Sequence, residues 1–250
     1  MVIQYDGTRY HGWQTQPGCI SIQQVLEERI SKITGVQVPV IAAGRTDAGV
    51  HALAQVASFK TTSALQCDTI RDALNALLPW DIRIMEACEA DAAFHPRYDA
   101  KTKIYFYIIA NTRVMSPFLY NYACRVPQGL DFDGMRTASI LLQGTHDFTS
   151  FRGSGCAAKN PARTIFQCSM EKIDVIDFMT AGVRGNFMKL RIEGDGFLRH
   201  MVRNIAGTII EVGKGRLRSE AILELLDARD RRLAGPTAPA RGLFLERVNY

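Results

Sequence analysis

Between Gly44 and Ala52 the chain gathers Arg45, Thr46, Asp47 and His51, with Gly49 between the last two. A cation, a hydroxyl, a carboxylate and an imidazole in one short stretch suit nucleophilic or general-base chemistry. An arginine within about 4–6 Å of a carboxylate favours its ionised form. The two glycines tolerate backbone angles that other residues resist and permit close approach of a ligand. The apolar residues 38–43 lead in as a strand and residues 54–60 lead out as another, so the stretch reads as a loop presented by a scaffold. An aspartate between glycines is also an ordinary turn former that bonds its own backbone, and the rest of the chain must decide between these readings.

A second set lies on the most regular alternation in the sequence. Ile104, Phe106 and Ile108 alternate with Lys103, Tyr105 and Tyr107, and Lys101 extends the polar row. Period two predicts a strand with an apolar face toward the core. The outward lysine and tyrosines would suit stacking of bases and holding of phosphates, unless the strand is merely amphipathic. Arg152, Lys159 and Arg163 sit in a polar stretch, residues 146–163, read as an RNA-contacting flap or a solvated loop. Residues 198–212 predict a buried helix on which Arg199 and Arg203 share one face. Arg203 lies at the edge of the apolar stripe, and a partly buried charge needs a partner. Asp47 is a candidate; the alternative is an arginine that snorkels to solvent.

The elements that must position these groups are legible. Ser21 and Gln24 form a capping box before a helix with Ile22, Val25, Leu26, Ile30 and Ile33 inward, stopped at Gly35. Asp68 is expected to cap a second helix that Pro79 ends. Residues 132–142 predict a third, and Ser219 a cap for the last. Strands are expected at 2–5, 82–88, 103–109, 164–175 and 187–193, with a closing strand from Gly242. The first strand is short, which leads to the expectation of a missing upstream piece. No tandem repeat or low-complexity segment appears.

Composition narrows the class. The 250 residues are 47% hydrophobic with net charge +5, enough apolar material for a sizeable core and a mild basicity compatible with a nucleic-acid partner. The six cysteines show no CxxC spacing, which argues against zinc knuckles and redox pairs. Free thiols without a signal peptide suggest a cytoplasmic protein. No apolar run approaches the roughly 20 residues of a membrane span.

With these residues in place, the chain resembles the tRNA pseudouridine synthases of the TruA type. The resemblance rests on Tyr5-Asp6-Gly7, Gly12-Trp13-Gln14, residues 44–52, Asn75-Ala76-Leu77-Leu78-Pro79, and Phe94-His95 with Arg97. It continues through residues 103–109, Asp147-Phe148-Thr149-Ser150-Phe151, His200-Met201-Val202-Arg203-Asn204-Ile205, and Ala240 with Gly242-Leu243. Their order and spacing hold over nearly the whole chain. Departures are an abbreviated N-terminal strand, a tail that stops at Tyr250, and Ile104 and Phe106 where basic residues often flank the tyrosine.

The resemblance implies an α+β fold of two similar halves, residues 1–97 and 98–250, forming a continuous, mostly antiparallel sheet with helices on one side. It implies a homodimer with tRNA across a basic cleft. It places Asp47 on the catalytic aspartate, Tyr105 on the tyrosine that stacks on the target base and takes the C5 proton, and Arg203 on the basic partner of the aspartate. Arg45 falls on the arginine that displaces the target base and Leu243 on an apolar pocket residue. His51, Lys103, Tyr107, Arg152 and Arg163 complete the expected substrate contacts. The implied reaction is isomerisation of uridine to pseudouridine at positions 38, 39 or 40 of the anticodon stem-loop. It involves no net redox change, so no cofactor or metal is expected, and there is no phosphate loop. Asp47 would attack ribose C1′, add to uracil C6, or deprotonate C2′. Rival readings are a synthase for another RNA site, a non-catalytic RNA-binding module, and an aspartate-nucleophile hydrolase, which would want a second carboxylate.

Overall fold

The computed structural model describes residues 1–178 and 181–250. The chain divides into two compact units, residues 1–103 with 244–250, and residues 104–243. Along the chain run β1 (Val2–Tyr5), α1 (Ile22–Thr34), β2 (Ile41–Ala42), β3 (His51–Ser58), α2 (Cys67–Leu77) and β4 (Ile82–Glu86). Then come β5 (Thr102–Ala110), β6 (Cys124–Arg125), α3 (Phe132–Ile140), β7 (Gly144–Asp147), β8 (Ala162–Phe178) and β9 (Ala181–Gly194). The chain closes with α4 (Met201–Gly213), α5 (Ala221–Ala228) and β10 (Leu243–Asn249). Among the described residues the ten strands pair mostly antiparallel, and α2, α3 and α5 pack against strands. The expected α+β class holds.

In the first unit β1 lies between β3 and β4 and is antiparallel to both. β10 returns to run parallel to β3, pairing Phe244 with His51 and Leu245 with Ala52. α1 begins where expected: the Ser21 hydroxyl accepts the Gln24 amide at 3.2 Å, and Gly35 ends the helix at φ 74°. Ile22, Val25, Leu26 and Ile30 are buried, and α1 packs on α2. The strand expected over 38–43 shrinks to Ile41–Ala42. Pro39 has no amide to give a ladder, and the Val40 amide is spent on the Glu27 carboxylate at 2.9 Å. Asp68 does not cap α2. The helix starts two residues earlier, with Gln66 at its cap and no side-chain cap bond, and Asp68 pairs with Arg71 at 2.8 Å in the first turn.

The second unit orders its sheet β5, β9, β8, β7, with β6 parallel to β5. β8 and β9 form an antiparallel hairpin longer than the two strands the sequence suggested. α3 packs on α4 and β8. His146 and Asp147, read as the start of a loop, belong to β7. α4 opens only at Met201, because His200 adopts a left-handed conformation at φ 60°. Arg199 therefore precedes the helix and shares no helical face with Arg203. Ser219 does not cap α5; its hydroxyl donates to the Gly134 carbonyl at 3.1 Å, and Glu220 occupies the cap.

Candidate active site

The Asp47 loop is held by three segments. Its own turn closes with the Val50 amide donating to the Asp47 carbonyl at 3.1 Å, and Gly49 supplies φ 77°. Residues 10–13 brace it from one side. The Trp13 amide donates to the Thr46 carbonyl at 3.0 Å and the Gly49 amide to the Tyr10 carbonyl at 3.2 Å. At Gly12, with φ 85°, an added Cβ would lie 2.5 Å from the Thr46 carbonyl oxygen. From β1, the Tyr5 hydroxyl meets the Thr46 hydroxyl at 2.8 Å. From β3, the Gln55 amide nitrogen donates to the Gly44 carbonyl at 2.8 Å. Gly7 presses on the far end of the turn, where a Cβ would sit 2.0 Å from the Val50 carbonyl oxygen. Asp47 is half-buried and Arg45 exposed. A carboxylate is thus presented from a backbone with little freedom to move, the condition for preorganised chemistry.

His51, expected among the substrate contacts, lies in the interior. It is the first residue of β3 and 1% exposed. Its Nδ1 accepts the Gly7 amide at 3.1 Å and lies 3.1 Å from the Asp6 carboxylate, while the ring stacks on Phe244 at 4.6 Å. One ring nitrogen has one in-plane position, so the Gly7 bond and an ion pair with Asp6 require opposite protonation of Nδ1. Either way the imidazole ties β1, β3 and β10 together.

On β5 both faces are largely covered, and Ile104 is buried as expected. Lys103, Tyr105 and Tyr107 are buried, whereas Phe106 and Ile108 are half-buried. Tyr105 meets the Phe197 ring edge-on at 5.2 Å. Tyr107, expected among the substrate contacts, is also interior. It is fully buried and its hydroxyl donates to the Pro239 carbonyl at 2.8 Å. Burial drives that hydroxyl far above its usual pKa, against the opposing charges of Arg203 and Arg241. A Cβ on Gly242 would lie 2.7 Å from the Tyr107 ring, so only glycine lets the chain cross there on its way to the buried Leu243.

Arg203 lies in the first turn of α4 and is half-buried. Its Nε donates to the Ala238 carbonyl at 2.8 Å, and the Ala238 amide donates back to the Arg203 carbonyl at 3.1 Å. The next turn of the helix grips the same segment. Gly207 admits the Pro236 carbonyl, which an added Cβ would approach to 1.7 Å, and Thr208 accepts the Gly235 amide at 3.0 Å. Buried Asn204 donates to the Phe151 carbonyl at 2.8 Å and accepts from Arg231 at 3.0 Å and Thr237 at 2.6 Å. The segment at residues 235–238, upstream of Leu243, is thus held by the helix that carries Arg203.

Arg152 is half-buried and donates to the Cys156 carbonyl; Arg163, also half-buried, donates to the Asn160 carbonyl at 3.0 Å. Both hold their own loop. Asp147 binds the Thr149 amide at 2.9 Å and hydroxyl at 2.6 Å. Burial pushes the Asp147 carboxyl up, but these bonds and Arg229, 3.3 Å away, outweigh it and hold it below the usual range. Sequence reasoning overlooked Tyr5, Gly7, Gln55 and Asn204 as parts of the site. The first two stood in a motif noted only for its resemblance; Gln55 had one signal, a polar residue within a strand run. Among the described residues no group of three or more His, Cys, Asp or Glu is placed to hold a metal ion, and no helix is long and apolar enough to cross a membrane.

Residues 1–99 and 138–250 match the family described as tRNA pseudouridine synthase. The chain is 46% identical over 250 residues to the tRNA pseudouridine synthase A of Acetivibrio thermocellus, covering 100% of this chain and 98% of that protein. It is 45% identical to its namesake from Thermodesulfovibrio yellowstonii, with 100% and 98% covered, and 42% to that of Myxococcus xanthus, with 100% and 91% covered. A match over most of the chain, with relatives at this identity from end to end, establishes that the chain belongs to the tRNA pseudouridine synthase family.

Proposed function

We propose that the protein isomerises uridine to pseudouridine in the anticodon stem-loop of tRNA, at positions 38, 39 or 40, with Asp47 as the reacting carboxylate. The C1′–N1 bond breaks, the uracil turns, and a C1′–C5 bond forms. The proton leaves C5 and N1 gains one, so the reaction is balanced with no net oxidation. Attack at C1′, addition at C6 and deprotonation at C2′ all require an ionised carboxylate held at a fixed place. The observation that carries the reading is the clamping of the Asp47 turn by β1, β3 and residues 10–13.

Tyr105 takes the C5 proton, directly or through a water. Arg203 supplies the positive charge that stabilises the carboxylate. The target base must leave the stack, at a cost of about a few kcal/mol. The exposed Arg45 fits the role of filling the gap it leaves, and stacking on an aromatic ring returns about 1–3 kcal/mol. Leu243 lines the base pocket, and the half-buried Arg152 and Arg163 offer guanidinium groups to phosphates. The protein acts as a cytoplasmic homodimer.

The test is incubation of the purified protein, without added cofactor, with an unmodified tRNA transcript bearing uridines at 38, 39 and 40. Pseudouridine mapped to those positions supports the reading. Tight binding without product favours an RNA-binding module, and product elsewhere favours a synthase for another site.

A further inference from the structure

The Tyr5-Asp6-Gly7 motif does nothing in the chemistry as proposed, yet it stands directly behind the reacting loop. Tyr5 is buried, and burial raises its hydroxyl pKa to about 12, so the group stays protonated. The Gln55 amide nitrogen can only donate, and it lies 2.8 Å from the Gly44 carbonyl and 3.4 Å from the Tyr5 oxygen. Tyr5 therefore accepts from Gln55 and shares a second hydrogen bond with the Thr46 hydroxyl, 2.8 Å away. Thr46 is itself buried, with its carbonyl bound to the Trp13 amide. These bonds converge on the two residues at either end of Gly44-Arg45-Thr46, the stretch that immediately precedes Asp47.

Gln55 supplies the anomaly. It is 0% exposed, and its Oε1 is buried without a hydrogen-bond partner. Buried side-chain oxygens are rarely left so, and a leucine of similar size would fill the space without an orphaned acceptor. What only an amide supplies here is the N–H that holds the Gly44 carbonyl and orders the Tyr5 hydroxyl. The arrangement favours the direction of the loop over local hydrogen-bond satisfaction.

We propose that Tyr5, Thr46 and Gln55 are positioning residues, a hydrogen-bond chain that fixes the Asp47 carboxylate for reaction without touching the RNA. This rests on the reading of Asp47 as the reacting group. A displacement of about 1 Å in a reacting group costs up to about a hundredfold in rate, so the effect belongs in the chemical step and not in affinity.

Single-turnover rates at saturating tRNA, tRNA Kd and melting temperature should be measured for wild type, Tyr5→Phe, Thr46→Val, Thr46→Ser and Gln55→Leu. Tyr5→Phe keeps the ring against Trp13, 6.3 Å between centroids, and removes only the hydroxyl. We expect Tyr5→Phe and Thr46→Val to lose about tenfold or more in rate with Kd within about twofold, and Thr46→Ser to recover most of the loss, since a misplaced nucleophile affects the transition state and not ground-state binding. Gln55→Leu should behave as Tyr5→Phe does. Rates unchanged in an active enzyme, or rate, Kd and melting temperature falling together, overturn the positioning role alone. A wild type that makes no pseudouridine overturns the functional reading, and this proposal with it.

Discussion

Arg203 and Ala238 hold each other twice, Nε to carbonyl at 2.8 Å and amide to carbonyl at 3.1 Å. The guanidinium is thereby oriented through one nitrogen. A lysine has no fork to be anchored and aimed at once. Arg203→Lys is therefore expected to lose about a hundredfold in turnover although the charge is kept. Steady-state rates on a tRNA transcript check this, and rates near wild type would reduce Arg203 to a point charge.

Tyr105 keeps its edge contact with Phe197 when only the hydroxyl is removed. Tyr105→Phe should lower turnover by about 10²–10⁴, the usual contribution of a positioned acid or base, with tRNA affinity little changed. Full activity would leave the ring a stacking role only.

Gly207 tests how tightly α4 holds the 235–239 segment. Alanine is better than glycine inside a helix by about 1 kcal/mol. Here its Cβ would meet the Pro236 carbonyl, and overpacking costs about 1–3 kcal/mol. Crowding by backbone should win. Gly207→Ala should melt lower, at about 2–4 °C per kcal/mol for a chain of this size. A higher melting temperature would show that the segment gives way freely.

Asp147 gives the fold an acid limb. Its carboxyl pKa is lowered in the folded state, so it contributes stability above the ordinary value of 3.8. That contribution is lost as pH falls through the folded-state value. Asp147→Asn should therefore be less stable than wild type near neutrality, and the gap should close in strong acid. Urea unfolding at several pH values measures it, and a gap independent of pH would contradict the assignment.

The helical faces were legible because their stripes repeat at the helical period, as Ile22, Leu26 and Ile30 do. The loop that carries Asp47 was legible from its glycines, and the family from ordered motifs. Three features escaped for physical reasons. Period two on β5 shows that its residues alternate but not which face is covered, and the structure buries Lys103, Tyr105 and Tyr107. The left-handed His200 broke a helix that its apolar spacing seemed to continue. The clamps on the Asp47 loop come from Tyr5, Trp13 and Gln55, and such long-range pairing leaves no local periodicity. Tyr107 and His51 are buried, which residue type alone did not show, because aromatic and imidazole side chains serve the core and the site equally well.

The most direct measurement compares wild type with Asp47→Asn on the same unmodified tRNA transcript, reading pseudouridine at positions 38–40 and tRNA Kd together. The substitution keeps size and turn-forming capacity and removes the nucleophilic charge. The account predicts no product from Asp47→Asn with Kd within about tenfold of wild type, since a transition-state group acts on rate more than on ground-state binding. Pseudouridine formed by Asp47→Asn at a rate near wild type would remove Asp47 from the mechanism.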